Sequence, residues 1–304
     1  MTTIRANGID LDYADYADST ETGDSDAPAL VLIRGLGTQR IQWSDQLIDG
    51  LVERGLRVLC HDNRDIGLSQ YFSEAGIPDI AGAIAKLARG ESVDAAYSLA
   101  DMAEDVVGLL DALEIDRAHV AGISMGGMIV QHLAASHGER LLSATSIMSS
   151  SGAPGLPAAT PEAMQALMSS PDKPGDRESV IEHGVRTRKI IASPGYPTDD
   201  DTMREAIART YDRSYRPDGV ARQMLAVLCD TGRSEMLAGI SVPTLVIHGE
   251  DDPLVPIECG RDTAARIPGA HFEPIPGMGH DIPVGLASAL VELIADHAKR
   301  AEPA

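Results

Sequence analysis

The sequence contains few aromatic residues and few cysteines. Phe, Trp and Tyr together make up 3% of its 304 residues, so aliphatic side chains must supply most of the predicted core. The three cysteines, Cys60, Cys229 and Cys259, lie far apart and form no C-x-x-C pair, which argues against a zinc site and against a disulfide framework. We interpret them as buried thiols in a reducing compartment.

Basic residues are also scarce, because 25 Lys and Arg face 46 Asp and Glu and the formal net charge is −21. No Lys/Arg-rich run forms a local basic patch, so neither nucleic acid nor a membrane surface is an expected partner. The N-terminal residues lack the pattern of a secretion signal, and no apolar run reaches the length of about 18 residues that a membrane helix needs. We therefore expect a cytoplasmic protein.

Short apolar runs alternate with segments of helical spacing through the first half of the chain, which is typical of βα units feeding a parallel sheet. Ile9–Tyr13 alternates in the manner of an edge strand. The predicted fully buried strands, rich in Val, Ile and Leu, are Ala29–Ile33, Leu56–Cys60, His119–Ile123 and Ala144–Met148. The predicted helices are Gln42–Arg54, Leu99–Leu113 with Ser98 as its N-cap, and Met125 to about His137.

After Ser150 the strand pattern stops, and a loop rich in Ser, Gly, Pro and Ala begins. Helical segments separated by Pro and Gly follow at Pro161–Met168, Arg177–Ile191, Asp201–Tyr211 and Val220–Cys229. We expect this helical insertion to roof a pocket. Its apolar residues are candidates for lining an acyl or alcohol site, although packing of helix on helix is their more frequent role: Met164, Met168, Met203, Met224, Leu225 and Leu228.

The sheet pattern returns at Val242–His248 and His271–Ile275, and a helix over about Val284–Ala298 closes the chain. The predicted organisation is a mostly parallel α/β core formed by residues 1–150 and 236–304, interrupted by a helical cap at residues 151–235.

The stretch Gly122-Ile123-Ser124-Met125-Gly126 fits the pattern G-x-S-x-G where a predicted strand meets a predicted helix. In that context the serine occupies a sharp, strained turn, and glycines two residues to either side let strand and helix pass close together. The turn exposes the Ser124 hydroxyl as a nucleophile and leaves the Met125 N–H facing any oxygen that develops negative charge beside it. The pentapeptide alone can arise by chance; its strand-turn-helix context favours a nucleophile elbow.

A serine nucleophile needs a general base, and the base needs an orienting carboxylate, in the chain order Ser, Asp or Glu, His. His280 lies in a Gly-rich loop after the last predicted strand and is the candidate base, while the other histidines are given packing or surface roles. Three consecutive carboxylates follow Val242–His248. We choose Asp252 as the acid because the proline after it fixes the turn, with Asp251 as the alternative.

The second oxyanion donor is expected in the loop after Ala29–Ile33, which reads Arg34-Gly35-Leu36-Gly37. A glycine before the donor lets the backbone turn the Leu36 N–H toward the site. Leu36 and Met125 are therefore the predicted oxyanion donors, with a plain turn as the alternative for the first. This chemistry requires no metal and no organic cofactor.

The motifs RGLG, HDNRDIGLS, AGISMGG, VPTLVIHGEDDPLVP and IPGMGHDIP together resemble the α/β-hydrolase superfamily along nearly the whole chain. The chain is most similar to the branch of esterases and lactonases that includes aclacinomycin methylesterase and 3-oxoadipate enol-lactonase. The resemblance implies an α/β-hydrolase fold, a triad of Ser124, Asp252 and His280, and oxyanion donors at Leu36 and Met125.

Two positions depart from the family pattern. Arg34 stands where many members have His, and because the expected donor is a backbone N–H, this change should alter the pocket wall more than the chemistry. Asp65 stands where glycine is common. We interpret the segment around it, residues 62–69, as structural, with polar groups that brace the loop near the active site.

We predict a serine hydrolase that cleaves a small to medium apolar carboxylic ester or lactone through an acyl-enzyme. A carbon–carbon bond hydrolase or a cofactor-free haloperoxidase on the same triad is an alternative, as is a non-catalytic small-molecule receptor. Dehalogenases and epoxide hydrolases use a carboxylate nucleophile, against which Ser124 argues. A dinucleotide-binding oxidoreductase is disfavoured because Arg40 and Ser124 occupy positions where G-x-G-x-x-G requires glycine.

Overall fold

The computed structural model describes residues 2–16 and 27–301, within which eight strands form a single sheet. The strand order is β1-β2-β4-β3-β5-β6-β7-β8. β2 is antiparallel to both of its neighbours, and every other pair is parallel. The strands are β1 (Thr2–Ala6), β2 (Ile9–Asp15), β3 (Ala29–Ile33), β4 (Arg57–His61), β5 (Ala118–Ile123), β6 (Leu141–Ile147), β7 (Thr244–Gly249) and β8 (His271–Ile275).

The helices alternate with the parallel strands, except for a pair between β4 and β5 and a run of five between β6 and β7. They are α1 (Asp45–Glu53), α2 (Ile80–Ala88), α3 (Leu99–Ala112), α4 (Met125–Ser136), α5 (Pro161–Met168), α6 (Arg177–Ile191), α7 (Asp200–Arg213), α8 (Pro217–Cys229), α9 (Arg233–Met236), α10 (Ile257–Arg266) and α11 (Ala287–Ala301). None of these helices is both long and apolar enough to cross a membrane, in the ranges that the structure describes.

The sheet carries a hydrophobic core on each face, because successive side chains of a strand point to opposite sides. On β3, Leu30 and Leu32 pack with α1 and α11, whereas Val31 and Ile33 pack with α3 and α4. All residues of β3 and β5 are buried, as the continuous apolar runs predicted. The predicted mostly parallel α/β-hydrolase architecture is confirmed.

One strand prediction is wrong in its position. Ile9–Tyr13 was expected at an edge of the sheet, but β2 lies between β1 and β4. The short strand β1 forms the edge instead, paired with β2 from Thr2 opposite Tyr13 to Ala6 opposite Ile9. In β2, Ile9 and Leu11 are buried and Asp10 between them is exposed, an alternation that an inner antiparallel strand shares with an edge strand.

The predicted cap helices are present as α5 to α8, all inserted between β6 and β7. Met203 and Leu225, two of the apolar residues considered for a pocket lining, are buried at 4% and 5% exposure. Met164 and Met168 are exposed, at 43% and 46%. That any of these residues lines a pocket stays a prediction. That residues 151–235 act as a separate cap remains a prediction.

Candidate active site

Ser124 lies in the turn between β5 and α4 with φ 53° and ψ −119°, in a region that L-residues rarely adopt. The flanking glycines make this turn sterically feasible. A methyl group on Gly122 would lie 2.2 Å from the Gly126 carbonyl oxygen, and one on Gly126 would lie 2.2 Å from the Ile33 carbonyl oxygen. The strand, the helix and the neighbouring strand thus approach one another too closely for any side chain at these two positions.

The strained turn is held by hydrogen bonds to the neighbouring strand and its loop. The Ser124 N–H donates to the Ile147 carbonyl at 2.9 Å, and the Ser149 hydroxyl donates to the Ser124 carbonyl at 2.8 Å. The Gly127 N–H also donates to the Ser124 carbonyl, at 2.9 Å. These hydrogen bonds fix both the N–H and the carbonyl group of Ser124, and so hold its backbone in the turn.

His280 bridges Ser124 and Asp252. Its Nε2 lies 3.0 Å from Ser124 Oγ, and its Nδ1 lies 2.7 Å from Asp252 Oδ2. A carboxylate can only accept, so Nδ1 carries a proton and Nε2 is free to accept the Ser124 hydroxyl proton when the ring is neutral. His280 and Asp252 are 8% and 6% exposed, which shields the chain of hydrogen bonds from water. The structure therefore brings the three predicted residues together in the predicted order.

The Asp252 carboxylate is itself oriented by its own loop. Oδ1 accepts the N–H groups of Leu254 and Val255 at 2.9 and 2.8 Å, which leaves Oδ2 for His280. Asp251, the alternative acid, is exposed and accepts the Gly277 N–H at 3.0 Å. Asp252 rather than Asp251 contacts His280.

His248, which the sequence placed among packing residues, lies beside the acid. Its Nε2 donates to the Val255 carbonyl at 2.7 Å and lies 3.7 Å from Asp252 Oδ2. Burial lowers the pKa of His248, so the ring is neutral and acts as a hydrogen-bond donor to the acid loop. Its place at the end of β7, four residues before Asp252, was the sequence signal for this role.

The loop after β3 packs directly on the Ser124 turn. A methyl group on Gly35 would come within 3.1 Å of Ser124 Cβ, so the backbone just before Leu36 lies next to Ser124. At the end of this loop, the Gly37 N–H donates a hydrogen bond to Gln223 Oε1 of α8 at 2.9 Å. Among the described residues, neither the Leu36 N–H nor the Met125 N–H has a hydrogen-bond acceptor. Both N–H groups are available to an oxygen beside Ser124.

Arg34 lines the same loop from its buried side. Its guanidinium lies 4.6 Å from the centre of the Trp43 ring and contacts Thr38 Oγ1 at 3.3 Å. Burial, together with the nearby Arg188 cation, lowers the pKa of Arg34 to about 9. The Arg34 carbonyl accepts the Asn63 amide at 2.9 Å. The segment around Asp65 is therefore bonded to the loop after β3, as expected of polar groups that brace it.

A metal would need a cluster of ligands. In the two described ranges, no group of three or more His, Cys, Asp or Glu side chains is arranged to hold a metal ion. Cys60 and Cys259 are buried and Cys229 is partly buried, all three as free thiols. Burial raises the pKa of the Cys60 thiol to about 12, which makes it unreactive.

Comparison with known proteins gives a consistent assignment. A family profile described as the alpha/beta hydrolase fold matches residues 28–284. The chain is 28% identical to rhodomycin D methylesterase DauP of Streptomyces sp. strain C5, over 91% of this chain and 92% of the relative. It is 27% identical to 3-oxoadipate enol-lactonase 1 of Acinetobacter baylyi, over 83% of this chain and 82% of the relative.

Among solved structures, the enol-lactonase from Burkholderia xenovorans LB400 superimposes with a TM-score of 0.70. It covers 98% of this chain and 100% of its own, at 24% sequence identity, and it supports the fold. The relatives' names agree with the predicted class of carboxylic ester hydrolase. The chain belongs to the alpha/beta hydrolase fold family.

Proposed function

We propose that the protein is a serine hydrolase of carboxylic esters or lactones, with Ser124 as nucleophile, His280 as general base and Asp252 as the orienting acid. The observation that carries this proposal is the unbroken hydrogen-bonded series from Ser124 Oγ through the His280 ring to Asp252, at 3.0 and 2.7 Å. The series begins at a partly exposed residue in a strained turn. A serine in an ordinary packing role requires neither the strain nor the base.

In the proposed reaction, the Ser124 oxygen attacks the ester carbonyl while its proton passes to His280 Nε2. Asp252 holds the ring tautomer and stabilises the imidazolium. The carbonyl oxygen becomes an oxyanion that accepts the N–H groups of Leu36 and Met125, which stabilise it by about 3 kcal/mol each in comparable sites. His280 then protonates the leaving alkoxide, and an acyl-enzyme forms on Ser124.

The second half of the reaction uses the same groups in reverse. The neutral His280 ring takes a proton from water, and the resulting hydroxide attacks the acyl carbonyl. The second oxyanion collapses, the Ser124 oxygen leaves with the proton from His280, and the carboxylic acid is released. Every proton is returned, so the reaction needs no component beyond the ester and water.

Two of the relatives support esters or lactones as the substrate class. Those compared above are named as a methylesterase and an enol-lactonase. A carbon–carbon bond hydrolase, a cofactor-free haloperoxidase and a receptor without turnover remain alternatives. A panel of p-nitrophenyl esters graded by acyl length, with methyl esters and lactones, defines the substrate class.

The test of the proposed function is Ser124→Ala. We expect the variant to lose hydrolysis of p-nitrophenyl acetate to the background rate while keeping its circular dichroism and melting temperature. Ser143→Ala is the matched control, because it removes a buried serine hydroxyl that contacts His119 and not His280, and it should keep turnover. Turnover of Ser124→Ala near the wild-type rate would place the chemistry elsewhere.

A further inference from the structure

The loop that carries His280 is bonded to the inserted helices. The His280 N–H donates to the carbonyl of Ile191, the last residue of α6, at 2.7 Å. The Gly195 N–H donates to the Gly277 carbonyl at 2.9 Å. Two backbone hydrogen bonds therefore connect residues 191–195 with residues 277–280. Between them, a side chain makes a third contact.

That side chain is Ser193, which is 1% exposed. Its hydroxyl accepts the Gly279 N–H at 2.9 Å and donates to Asp281 Oδ1 at 2.5 Å. The Ser193 N–H donates to the same carboxylate oxygen at 2.9 Å. Ser193 therefore bonds the residue before His280 and the residue after it, and holds the backbone of the base from both sides.

The two segments are packed too closely to slide past each other. A methyl group on Gly279 would lie 2.6 Å from the Ala192 carbonyl oxygen, and one on Gly195 would lie 2.8 Å from Gly277 Cα. Neither position tolerates a side chain without displacement of backbone. The close approach explains why residues 277–279 carry two glycines in a loop that must present a histidine accurately.

Charge reinforces the contact. Burial raises the pKa of Asp281, and the Ser193 hydrogen bonds and the Arg188 cation of α6 oppose that rise. The partly buried Asp281 carboxylate accepts two hydrogen bonds from Ser193, so its side chain has little freedom to move and can orient its neighbours. Asp281 is thus connected to the end of α6 by its hydrogen bonds to Ser193 and by electrostatic attraction to Arg188.

Asp252 is held differently. Its carboxylate accepts the N–H groups of Leu254 and Val255, which belong to its own loop after β7. The acid is therefore fixed by its own loop, whereas the loop of the base is bonded both to the acid loop, through Asp251, and to the end of α6. Any displacement of the end of α6 would move His280 relative to both Ser124 and Asp252.

We propose that Ser193 and Asp281 are positioning residues that clasp the His280 loop to the end of α6, so that the base is aligned only while this end of the insertion is seated. The inference rests on the proposed function, in which His280 is the base. Neither residue contacts the predicted triad side chains, so the clasp should act on the rate of the chemical step and leave substrate binding unchanged. Its loss should therefore lower kcat with little effect on KM.

The experiment compares four single variants with p-nitrophenyl acetate as substrate. Ser193→Ala and Asp281→Ala should each lower kcat by about 10- to 100-fold at unchanged KM, the range found when groups that orient a functional residue are removed. Asp281→Asn should keep most of the activity, because its amide oxygen still accepts both Ser193 bonds. Asp176→Ala is the control: it removes the N-cap at the opposite end of α6 and should leave kcat unchanged.

A spectroscopic readout separates positioning from general destabilisation. In protein with isotope-labelled histidine, the Nδ1 proton bonded to Asp252 should give a downfield resonance that His280→Ala removes. Ser193→Ala should broaden or shift this resonance, and Asp176→Ala should not. Full kcat and an unchanged resonance in Ser193→Ala would overturn the clasp. If Ser193→Ala does not fold, the comparison of Asp281→Ala with Asp281→Asn carries the test.

The two proposals fail in different ways. If Ser124→Ala is inactive but Ser193→Ala and Asp281→Ala keep the wild-type kcat, the clasp is wrong and the proposed function stands. If Ser124→Ala retains activity, the proposed function is wrong, and the His280 resonance still reports whether Ser193 orients the ring. Equal losses of kcat in Ser193→Ala and Asp176→Ala would also contradict the clasp, since they would reflect the stability of α6.

Discussion

Asp65 and Arg222 form a two-pronged ion pair between the loop after β4 and helix α8. The Arg222 Nε and Nη2 atoms donate to the Asp65 carboxylate at 2.8 and 2.7 Å, and the two side chains are 3% and 0% exposed. Asp65 also accepts the Tyr97 hydroxyl at 2.7 Å and the Phe72 N–H at 2.8 Å. This residue, which departs from the family pattern, connects the inserted helices to the sheet side of the molecule.

Replacing Asp65 by glycine tests this connection. Asp65 has φ 72°, so glycine relieves backbone strain, yet it leaves the Arg222 cation buried without a carboxylate. We expect Asp65→Gly to lower the free energy of unfolding by about 3 to 5 kcal/mol, the usual effect of breaking a buried pair. Urea denaturation measures the change. The double variant Asp65→Gly, Arg222→Met should recover much of it, because the uncompensated charge is gone.

An exposed pair provides the control for that measurement. Arg177 and Asp212 make a two-pronged contact of similar length, but their side chains are 46% and 54% exposed. Asp212→Ala should therefore have only a small effect on the free energy of unfolding, because water screens an exposed pair. An Asp65→Gly variant as stable as Asp212→Ala would show that the buried pair contributes no more to the free energy of unfolding than the exposed pair.

The acid of the triad can be identified by two neighbouring amide substitutions. Asp252→Asn keeps the shape of the residue but favours the wrong His280 tautomer, so kcat should fall by about 10⁴-fold. Asp251→Asn alters an exposed carboxylate that bonds the Gly277 N–H, and it should keep kcat near the wild-type value. Steady-state hydrolysis of p-nitrophenyl acetate measures both. The reverse order of effects would make Asp251 the functional acid.

Gln223 of α8 is predicted to hold the oxyanion loop. Its side chain is fully buried, accepts the Gly37 N–H at 2.9 Å and donates to the Arg64 carbonyl at 2.8 Å. Gln223→Met keeps the volume but removes both bonds, so the Leu36 N–H should be less well placed for the oxyanion. We expect kcat to fall by about tenfold at unchanged KM. This loss is smaller than the loss caused by removing one oxyanion donor completely.

Gln131 supplies the control for Gln223. It is equally buried, but its amide donates to the Ser150 carbonyl in the loop after β6 and not to the loop after β3. Gln131→Met should lower the melting temperature without a selective loss of kcat. If the two variants lose kcat to the same extent, the effect of Gln223 is on stability and not on the oxyanion loop.

Much of the parallel core could be predicted from the sequence because its strands are buried on both faces. The apolar runs at β3 and β5 are continuous and lie between turn residues, so their type is unambiguous and their limits were predicted to within one residue. Helix α10 was missed because its sequence, IECGRDTAAR, is polar and contains Gly260. That glycine lies against the His248 ring, where a methyl group would come within 2.3 Å of Nδ1, and such a packing reason has no local signature.

The site divides in the same way. Ser124 and His280 follow from local patterns, a G-x-S-x-G at a strand-helix junction and a histidine in a Gly-rich loop. The choice between Asp251 and Asp252 depends on which of two adjacent side chains turns inward, which the N–H groups of Leu254 and Val255 decide. Ser193 could not be predicted at all, because its partner Asp281 lies 88 residues away.

Acid sensitivity should depend on His61, a fully buried residue of β4. Burial lowers the pKa of His61 from 6.5 to about 4, and the nearby Asp105 carboxylate opposes the shift only in part. Between these two pH values the unfolded chain binds a proton that the folded protein does not, so the free energy of unfolding decreases as the pH falls. From about pH 7 to about pH 5, this one residue should remove about 2 kcal/mol.

Urea denaturation of wild type and His61→Leu at the two pH values measures this contribution. The variant should lose about 2 kcal/mol less than wild type over the same interval, because leucine cannot take up a proton in the unfolded chain. His271→Leu is the control, since it replaces a histidine whose side chain is 63% exposed. Parallel losses in wild type and His61→Leu would mean that His61 is protonated in the folded protein.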